Sequence, residues 1–267
     1  MKTRAITGFF FVVVMLASIL LGSYFFTIFF LLLSILATDE FYRLIRTVVN
    51  PQRWMGYLLA ISLFLPLAYH FLNNGSLALL LVSVPVIVFI FVAELYRNFQ
   101  NPFHNIAYTI FGVLYAAVPF GFFYALGFYG GEYSTHLPLA FLIMLWASDT
   151  GAYLFGSKLG KHKLFERHSP KKTWEGFFGG LLISALAAFI LSWYFEDLTL
   201  IQWIGMSMII VIVGSWGDLV ESMLKRSLSA KDSGSLLPGH GGVLDRFDGL
   251  LLSAPLVFVY LQLLRIF

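Results

Sequence analysis

The sequence has 267 residues, of which 59% are hydrophobic and only 12% are charged. A soluble domain is typically about 25% charged and less than half apolar, so a water-exposed fold of this size would leave too much apolar surface uncovered. The formal net charge is +3 and cysteine is absent, which excludes disulfide bonds, a thiolate nucleophile and cysteine-based zinc sites. The composition therefore predicts an integral membrane protein.

Nine apolar segments follow one another along the chain, and most are long enough to cross about 30 Å of hydrocarbon as a helix. They cover residues 5–21, 24–38, 54–72, 76–93, 106–128, 137–155, 176–195, 199–216 and 249–266. Only Gly22 and Ser23 separate the first two, which predicts a tight helical hairpin. Because the second segment follows at once, we expect the first to be a retained helix and not a signal peptide.

The basic residues predict the orientation. With the N-terminus in the cytoplasm, all 17 lysines and arginines except Arg265 fall on the cytoplasmic side, as the positive-inside rule requires. The fold class is therefore predicted as an all-α polytopic membrane protein of about nine transmembrane helices. Residues 1–135 form its N-terminal helices and 136–267 its C-terminal catalytic region, within one membrane domain.

Two cytoplasmic loops, 156–175 and 217–248, are long and rich in glycine, lysine and aspartate, whereas the outer loops are short. Long polar loops on a rigid scaffold are where function usually lies. The sequence therefore predicts that any chemistry is carried by these two loops.

Two acidic pairs flank the second loop. Asp218 and Glu221 lie at the inner end of the eighth segment, and Asp245 and Asp248 at the start of the ninth. Residues three apart share a helix face, so the two pairs can converge. Four carboxylates at one point would repel strongly without a cation, and oxygen ligands without thiolate suit Mg²⁺ or Mn²⁺.

Cationic and glycine-rich stretches lie between the acidic pairs. Lys225, Arg226 and Lys231 can bind phosphate oxygens, and the glycines of 238–242 can bring backbone amides close to an anion. Each cation alone is more typical of a positive-inside anchor, and a glycine pair alone is more typical of a turn. Their concentration in about thirty residues favours phosphoryl or nucleotidyl transfer. The role of His240 stays open between phosphate binding, acid–base chemistry and capping.

The first loop ends in Ser169-Pro-Lys-Lys-Thr-Trp-Glu-Gly176, just before a membrane helix. The helix N-terminus and the two lysines suit an anionic group, and a cluster that binds anionic lipid headgroups is the alternative. Asp149 lies inside the sixth segment, where a carboxylate is costly and a functional role is favoured. For Glu40 and Glu94, at other helix ends, we favour a plain interfacial role.

The spacing of these residues resembles the signature of phosphatidate cytidylyltransferases, also called CDP-diacylglycerol synthases. The resemblance is carried by Ser222-x-x-Lys225-Arg226, by Lys231-Asp232-x-Gly234, and by Pro238-x-His240-Gly241-Gly242-x-x-Asp245-Arg246-x-Asp248. Residues 148–163 and 169–176 are also similar to the family pattern, with His168 at a position where an aliphatic residue is expected. The resemblance is strong over about 140–255.

The resemblance implies that CTP and phosphatidate are converted to CDP-diacylglycerol and pyrophosphate, with Mg²⁺. It also implies a homodimer and a second cation, such as K⁺, beside the first. On this basis we assign Asp218, Asp245 and Asp248 as metal ligands, with Glu221 and Asp149 supporting them. Phosphates of CTP or lipid are assigned to Lys225, Arg226, Lys231, Arg246, Lys171 and Lys172. Further substrate-binding positions are Ser169, Pro170, Thr173, Glu175, Ser222, Asp232, His240, Gly241 and Gly242.

Two other functions stay open at this point. A CTP-dependent kinase of an isoprenoid alcohol would transfer the γ-phosphate and release CDP. A membrane lipid or ion transporter would use the carboxylates as an ion site, although such sites tend to lie near the midplane, often with internal repeats. The aromatic residues are assigned to lipid-facing and interfacial packing, and no nucleic acid partner is expected.

Overall fold

The fold is described from a computed structural model that covers residues 2–234, 236, 239 and 241–266, with side chains from Thr7 onward. It contains ten α-helices and one small β-hairpin. The helices are α1 (Lys2–Leu20), α2 (Ser23–Ile45), α3 (Arg53–Asn73), α4 (Ser83–Leu95), α5 (Pro102–Gly112), α6 (Val118–Leu126), α7 (His136–Leu159), α8 (Trp174–Tyr194), α9 (Leu200–Ser227) and α10 (Leu244–Ile266). A 3₁₀ segment, Leu77–Val82, leads into α4, and a π-helical turn, Val113–Ala117, joins α5 to α6.

The helices confirm the predicted fold class. Within the described residues, eight helical stretches are long and apolar enough to cross a membrane, and the apolar part of α1, Thr7–Leu20, is a shorter one. The 3₁₀ segment with α4 forms one stretch, and α5 with α6 forms another. Counted in this way, the nine stretches correspond in order to the nine predicted segments. The count of nine spans and the cytoplasmic N-terminus stay predictions.

Helix boundaries differ most from the prediction beside the polar loops. Helix α2 continues to Ile45, α9 continues to Ser227, and α10 begins at Leu244, so the second loop shortens to 228–243. A hydropathy criterion ends each segment too early, because the residues at these helix ends are polar although their backbone is helical. The predicted turn between the first two segments is confirmed, since Gly22 has a φ of 106° between α1 and α2.

The first polar loop is shorter than predicted and contains a β-hairpin. Strand β1 (Lys163–Phe165) pairs antiparallel with β2 (Ser169–Thr173). His168, the departure from the family pattern, stacks on Phe165 with ring centroids 5.5 Å apart. Thr173 then caps α8, because its hydroxyl accepts a hydrogen bond from the amide of Gly176 at 3.2 Å, which satisfies one free donor of the first turn.

Aromatic packing joins the two halves of the chain. Phe26 and Phe30 of α2 contact Phe123 of α6, which meets Phe141 of α7 edge to face at 5.2 Å. Phe120 of α6 meets Phe247 of α10 in the same way at 5.1 Å. Each such pair contributes about 0.5–1.5 kcal/mol beyond the burial of its area. The N-terminal helices and the C-terminal helices therefore share one core.

Glycines bring the C-terminal helices into close contact. A Cβ on Gly151 of α7 would lie 2.6 Å from the carbonyl oxygen of Gly179 on α8, and a Cβ on Gly217 of α9 would overlap the carbonyl oxygen of Asp248 on α10. Small residues allow this approach between membrane helices, where packing drives association. The contact at Gly217 sets α9 and α10 close enough for their carboxylates to meet.

Candidate active site

A cavity of about 590 Å³ opens between α7, α8, α9 and α10 at the end of the bundle that carries the hairpin. Its lining mixes apolar helix faces with charged groups. The charged residues in the lining are Asp149, Lys171, Lys172, Asp218, Asp245, Arg246 and Asp248. Both polar loops predicted to carry the chemistry therefore contribute to one site.

Three carboxylates form a compact acidic cluster beside this cavity. One oxygen each from Asp218, Glu221 and Asp248 lies within 4.8 Å of the other two. Asp218 and Glu221 share a face of α9 because they are three residues apart, and the close contact at Gly217 brings in Asp248 from α10. The predicted convergence of the two acidic pairs is therefore confirmed for these three residues.

Asp245 is not a member of the acidic cluster among the described residues. Its Oδ2 accepts hydrogen bonds from the amides of Gly242 (2.8 Å) and Ser233 (2.9 Å) and from the hydroxyl of Ser233 (2.8 Å). Its Oδ1 lies 2.6 Å from Nζ of Lys225. At the start of α10 the backbone amides compete for this carboxylate, and the geometry therefore favours Glu221 over Asp245 as a member of the metal-binding group.

Lys225 links Asp245 to the acidic cluster. It is largely buried on α9 and forms ion pairs with both Glu221 and Asp245. One buried ammonium between two carboxylates offsets part of their repulsion and holds both in place. This pairing gives Lys225 an organising position, in contrast to the direct phosphate contact assigned from the sequence.

The first loop reaches the cluster through Lys172. Its Nζ lies 2.6 Å from Oδ2 of Asp218 and 3.3 Å from the carbonyl oxygen of Ser215. The other oxygen of Asp218 accepts a hydrogen bond from Ser222, one helical turn further on, at 3.3 Å. Asp218 is thus oriented from both sides, and Lys172 places a positive charge at the cavity wall.

The remaining cations fall into two groups. Lys171 and Arg246 line the cavity, as their assignment to phosphate requires. Arg226 is exposed and donates to the carbonyl oxygen of Ala230 at 3.1 Å, and Lys231 is exposed in the loop. Among the residues that the structure describes, neither Arg226 nor Lys231 belongs to the cavity lining, so their phosphate role stays a prediction.

The hairpin residues organise the entrance to the cavity. Glu175 accepts hydrogen bonds from the amides of Lys161 (3.1 Å) and His162 (3.2 Å) and lies 2.6 Å from Nδ1 of His162. These contacts tie the end of α7 to the start of α8. Ser169 and Pro170 belong to β2, so in this geometry Ser169, Pro170 and Glu175 shape the loop that presents the two lysines.

The glycine-rich stretch is described in part. Gly241 has a φ of 82°, a backbone conformation that favours glycine, and the amide of Gly242 is held by Asp245. Asp232 is exposed at the surface of the loop. His240, together with Pro238, lies outside the described residues, so its three possible roles stay open.

Asp149 faces the cavity from α7. It is accessible from this cavity, and its charged neighbours are Lys172, Asp218 and Arg246. The carboxylate therefore faces a cavity that other charged groups also line, as is typical of ionisable residues within membrane segments. The sixth segment therefore contributes a charged group to the cavity lining, and the role of Asp149 toward substrate or metal stays a prediction.

Glu40 and Glu94 differ from their interfacial assignment, since they are only 6% and 3% exposed. Glu40, on α2, accepts hydrogen bonds from the amides of Val243 (2.7 Å) and Leu244 (2.9 Å) at the start of α10. Glu94 is bound by Gln52, Arg97 and Asn105 away from the site. The only sequence signal for Glu40 is an ionisable residue beside a long apolar segment, which does not reveal its partner.

The acidic cluster fits a divalent cation. Glu221 is 1% exposed, and Lys225 forms an ion pair with its Oε2, whereas its Oε1 accepts no hydrogen bond from the described residues. Buried carboxylate oxygens without donors are costly, and all three members of the cluster offer the hard oxygen ligands that Mg²⁺ and Mn²⁺ prefer.

The fold and the site together define a polytopic helical membrane protein with an acidic cluster and a cation-lined cavity at one end. A family model described as the cytidylyltransferase family matches residues 2–264. The chain belongs to the cytidylyltransferase family.

Similar curated proteins carry a more specific name. Phosphatidate cytidylyltransferases of Staphylococcus aureus (strain COL) and Staphylococcus epidermidis (strain ATCC 12228 / FDA PCI 1200) are each 45% identical to this chain over 161 residues. That of Staphylococcus haemolyticus (strain JCSC1435) is 44% identical over 161 residues. In all three cases the match covers 60% of this chain and 60% of the relative's length.

Proposed function

We propose that this protein transfers the cytidylyl group of CTP to phosphatidate, giving CDP-diacylglycerol and pyrophosphate in phospholipid biosynthesis. The observation that carries the proposal is the cavity itself, in which an acidic cluster faces Lys171, Lys172 and Arg246 between membrane helices. A site of this kind can bind a nucleoside triphosphate and a lipid phosphate at the membrane surface. Membership of the cytidylyltransferase family and the names of the staphylococcal relatives support it.

In the proposed reaction, a phosphate oxygen of phosphatidate attacks the α-phosphorus of CTP. A new bond forms between that oxygen and phosphorus, and the bond from the α-phosphorus to the pyrophosphate oxygen breaks. The nucleophile is already anionic, so no strong general base is required. The main obstacle is the repulsion between two polyanions, which positioned cations reduce in the transition state.

Lys172 and Arg246 are the cations best placed for this task. Lys172 is fixed by Asp218 at the cavity wall, and Arg246 follows directly after Asp245 on the first turn of α10. A guanidinium binds phosphate oxygens in a bidentate manner and an ammonium acts as a point charge, so the two together can hold the reacting phosphates at close range. Lys171 adds a third charge at the entrance.

Asp218, Glu221 and Asp248 are the proposed ligands of Mg²⁺, with Asp149 supporting them. A divalent cation there supplies Lewis-acid stabilisation of phosphoryl oxygens. The chain's own contribution is to fix the three carboxylates, with Lys225 and Lys172 limiting their repulsion before the cation binds. A second cation such as K⁺ is part of the proposal.

We also propose that the protein lies in the cell membrane, which is the inner membrane in cells that have two. Its active site would be at the cytoplasmic face. The distribution of lysine and arginine supports this orientation. A homodimer is proposed from the family resemblance. Light scattering of the protein in detergent tests the dimer, and labelling of single cysteines introduced into this cysteine-free chain tests the orientation.

The direct test uses purified protein, CTP labelled in the α-phosphate, phosphatidate and Mg²⁺. The proposed reaction gives a lipid-soluble labelled product together with unlabelled pyrophosphate. Release of labelled CDP with an isoprenoid alcohol would indicate the kinase instead, and lipid or ion flux in liposomes without CTP would indicate a transporter. Absence of labelled lipid under all these conditions would refute the proposed function.

A further inference from the structure

Glu40, in the N-terminal half of the chain, is a buried carboxylate that contacts the loop between α9 and α10. It lies near the inner end of α2, about two hundred residues before its partners. Its Oε2 accepts a hydrogen bond from the amide of Val243 at 2.7 Å, and its Oε1 accepts from the amide of Leu244 at 2.9 Å. These amides begin α10, where four donors have no partner within the helix and a negative charge is favoured.

Two glycines leave room for the carboxylate. A Cβ on Gly242 would overlap the carboxylate of Glu40, and a Cβ on Gly234 would lie 2.8 Å from its Oε2. Gly242 does not have a positive φ, so its backbone would accept alanine, and the close approach of Glu40 is what requires glycine there. The glycines on both sides of the loop are thus matched to the side chain from α2.

Ser233 connects Glu40 to the acidic cluster. Its hydroxyl lies 2.5 Å from Oε1 of Glu40 and 2.8 Å from Oδ2 of Asp245. A hydroxyl has one hydrogen, so Ser233 donates to one of these carboxylates at a time. Asp245 then binds Lys225, and Lys225 pairs with Glu221 of the cluster. A continuous chain of polar contacts therefore runs from α2 to the proposed metal ligands.

Glu40 has no ion-pair partner among the residues that the structure describes, unlike Glu94, which pairs with Arg97. A buried carboxylate held by amides and a hydroxyl alone is costly to desolvate. A neutral side chain with a carbonyl or hydroxyl oxygen could accept hydrogen bonds from the same amides without burying a charge. The cost of burying this carboxylate is explained if Glu40 fixes the loop between α9 and α10 in the geometry that the reaction requires.

We infer that Glu40 is a positioning residue for the reaction. It holds the start of α10 and Ser233, and through Asp245 and Lys225 it sets the acidic cluster that binds the cation. The inference rests on the proposed function for its kinetic consequence, whereas its effect on metal binding does not depend on the substrate.

The first experiment compares Glu40→Gln with Glu94→Gln as a matched control, because both change a buried, hydrogen-bonded carboxylate at the same end of the bundle. Groups that support metal ligands typically contribute about 10–100-fold to affinity or activity. We expect Glu40→Gln to lower kcat per folded molecule by about this factor and to raise the Mg²⁺ concentration at half-maximal activity. Equal effects of the two substitutions would overturn the inference.

A second comparison isolates the contact itself. Gly242→Ala should impair activity because the added methyl group displaces the carboxylate of Glu40. In a Glu40→Ala variant, the same methyl group should cause little further loss of activity. Additive losses in the double variant would show that Gly242 acts independently of Glu40. Ser233→Ala, a small change that should fold even if Glu40→Gln does not, should also raise the Mg²⁺ requirement, and an unchanged requirement would rule out the connection through Ser233.

The third measurement separates this inference from the proposed function. Thermal stability in detergent is followed with Mg²⁺ or Mn²⁺ alone, without CTP or lipid. The unmodified protein should be stabilised by the ion, and Glu40→Gln should require a higher ion concentration. If the protein shows no cytidylyl transfer but this shift is seen, the proposed reaction fails and the positioning role stands. If stabilisation is the same in both proteins, the positioning role fails.

Discussion

Replacing Asp218 by asparagine tests the acidic cluster most directly, because the side chain keeps its shape and loses its charge. With carboxylate oxygens no more than 4.8 Å apart, each pair repels by about 3.5 kcal/mol at an effective dielectric constant of about 20. At the same distance the attraction of a divalent cation for one carboxylate is twice as large, and a bound ion lies closer. The repulsion that the substitution relieves is present both with and without the cation. The lost cation affinity therefore equals the lost attraction, about 7 kcal/mol at this distance.

Because solvent and the neighbouring Lys172 weaken this attraction, we take less than half of it, about 3 kcal/mol, which corresponds to roughly 100-fold in affinity or rate. We therefore expect Asp218→Asn to lose at least about 100-fold of its activity. Its fold should persist. The ion pair with Lys172 is partly exposed, at 35% for Asp218 and 26% for Lys172, and such pairs contribute about 1 kcal/mol or less. Relief of repulsion offsets this loss, so the melting temperature without added cation should be unchanged or higher.

The assay measures labelled lipid formed from CTP and phosphatidate across a Mg²⁺ titration, with melting temperature recorded on the same samples. Glu196→Gln is the control, since this exposed carboxylate lies in the loop between α8 and α9 at the other end of the bundle. Near-normal activity of Asp218→Asn at the same Mg²⁺ concentration would refute the assignment of Asp218 to the metal. A large drop in melting temperature would refute the electrostatic account of the cluster.

Three further predictions follow from the same geometry. A double variant, Lys171→Ala with Lys172→Ala, should have lower activity at low salt and a shallower decline of activity with salt than the unmodified protein, because the charges that salt would screen are gone at these positions. Parallel salt profiles of the two proteins would contradict an electrostatic role. Gly217→Ala should lower the free energy of unfolding by about 1–3 kcal/mol, because the added methyl group overpacks against Asp248. Gly130→Ala is the control, since a Cβ there meets open space. Equal melting temperatures of the two variants would contradict the close contact at Gly217. Chelation should abolish activity reversibly, with recovery on Mg²⁺ or Mn²⁺ but not on K⁺ alone, and activity that survives exhaustive chelation would contradict the metal site.

Much of the fold was predictable because its causes are local in sequence. Apolar segments of spanning length define membrane helices wherever they occur, and the structure has a helix for each predicted segment. Asp218 and Glu221 could be paired from their spacing alone, since helical geometry fixes neighbours three residues apart. Helix ends were predicted less well, because Glu40, Asp218 and Asp245 are polar residues inside helices whose ends project beyond the apolar stretch.

The sequence by itself determined the class of protein, the order of its helices and the types of residue at the site. Only the tertiary structure decided which residues meet. Lys172 of the hairpin contacts Asp218 of α9, and Asp245 pairs with Lys225 and is not in the cluster. Glu40 contacts Val243, which is 203 residues away in the chain. Hydropathy and spacing describe each helix alone, whereas these contacts depend on how closely the helices pack and on which buried donors lack a partner.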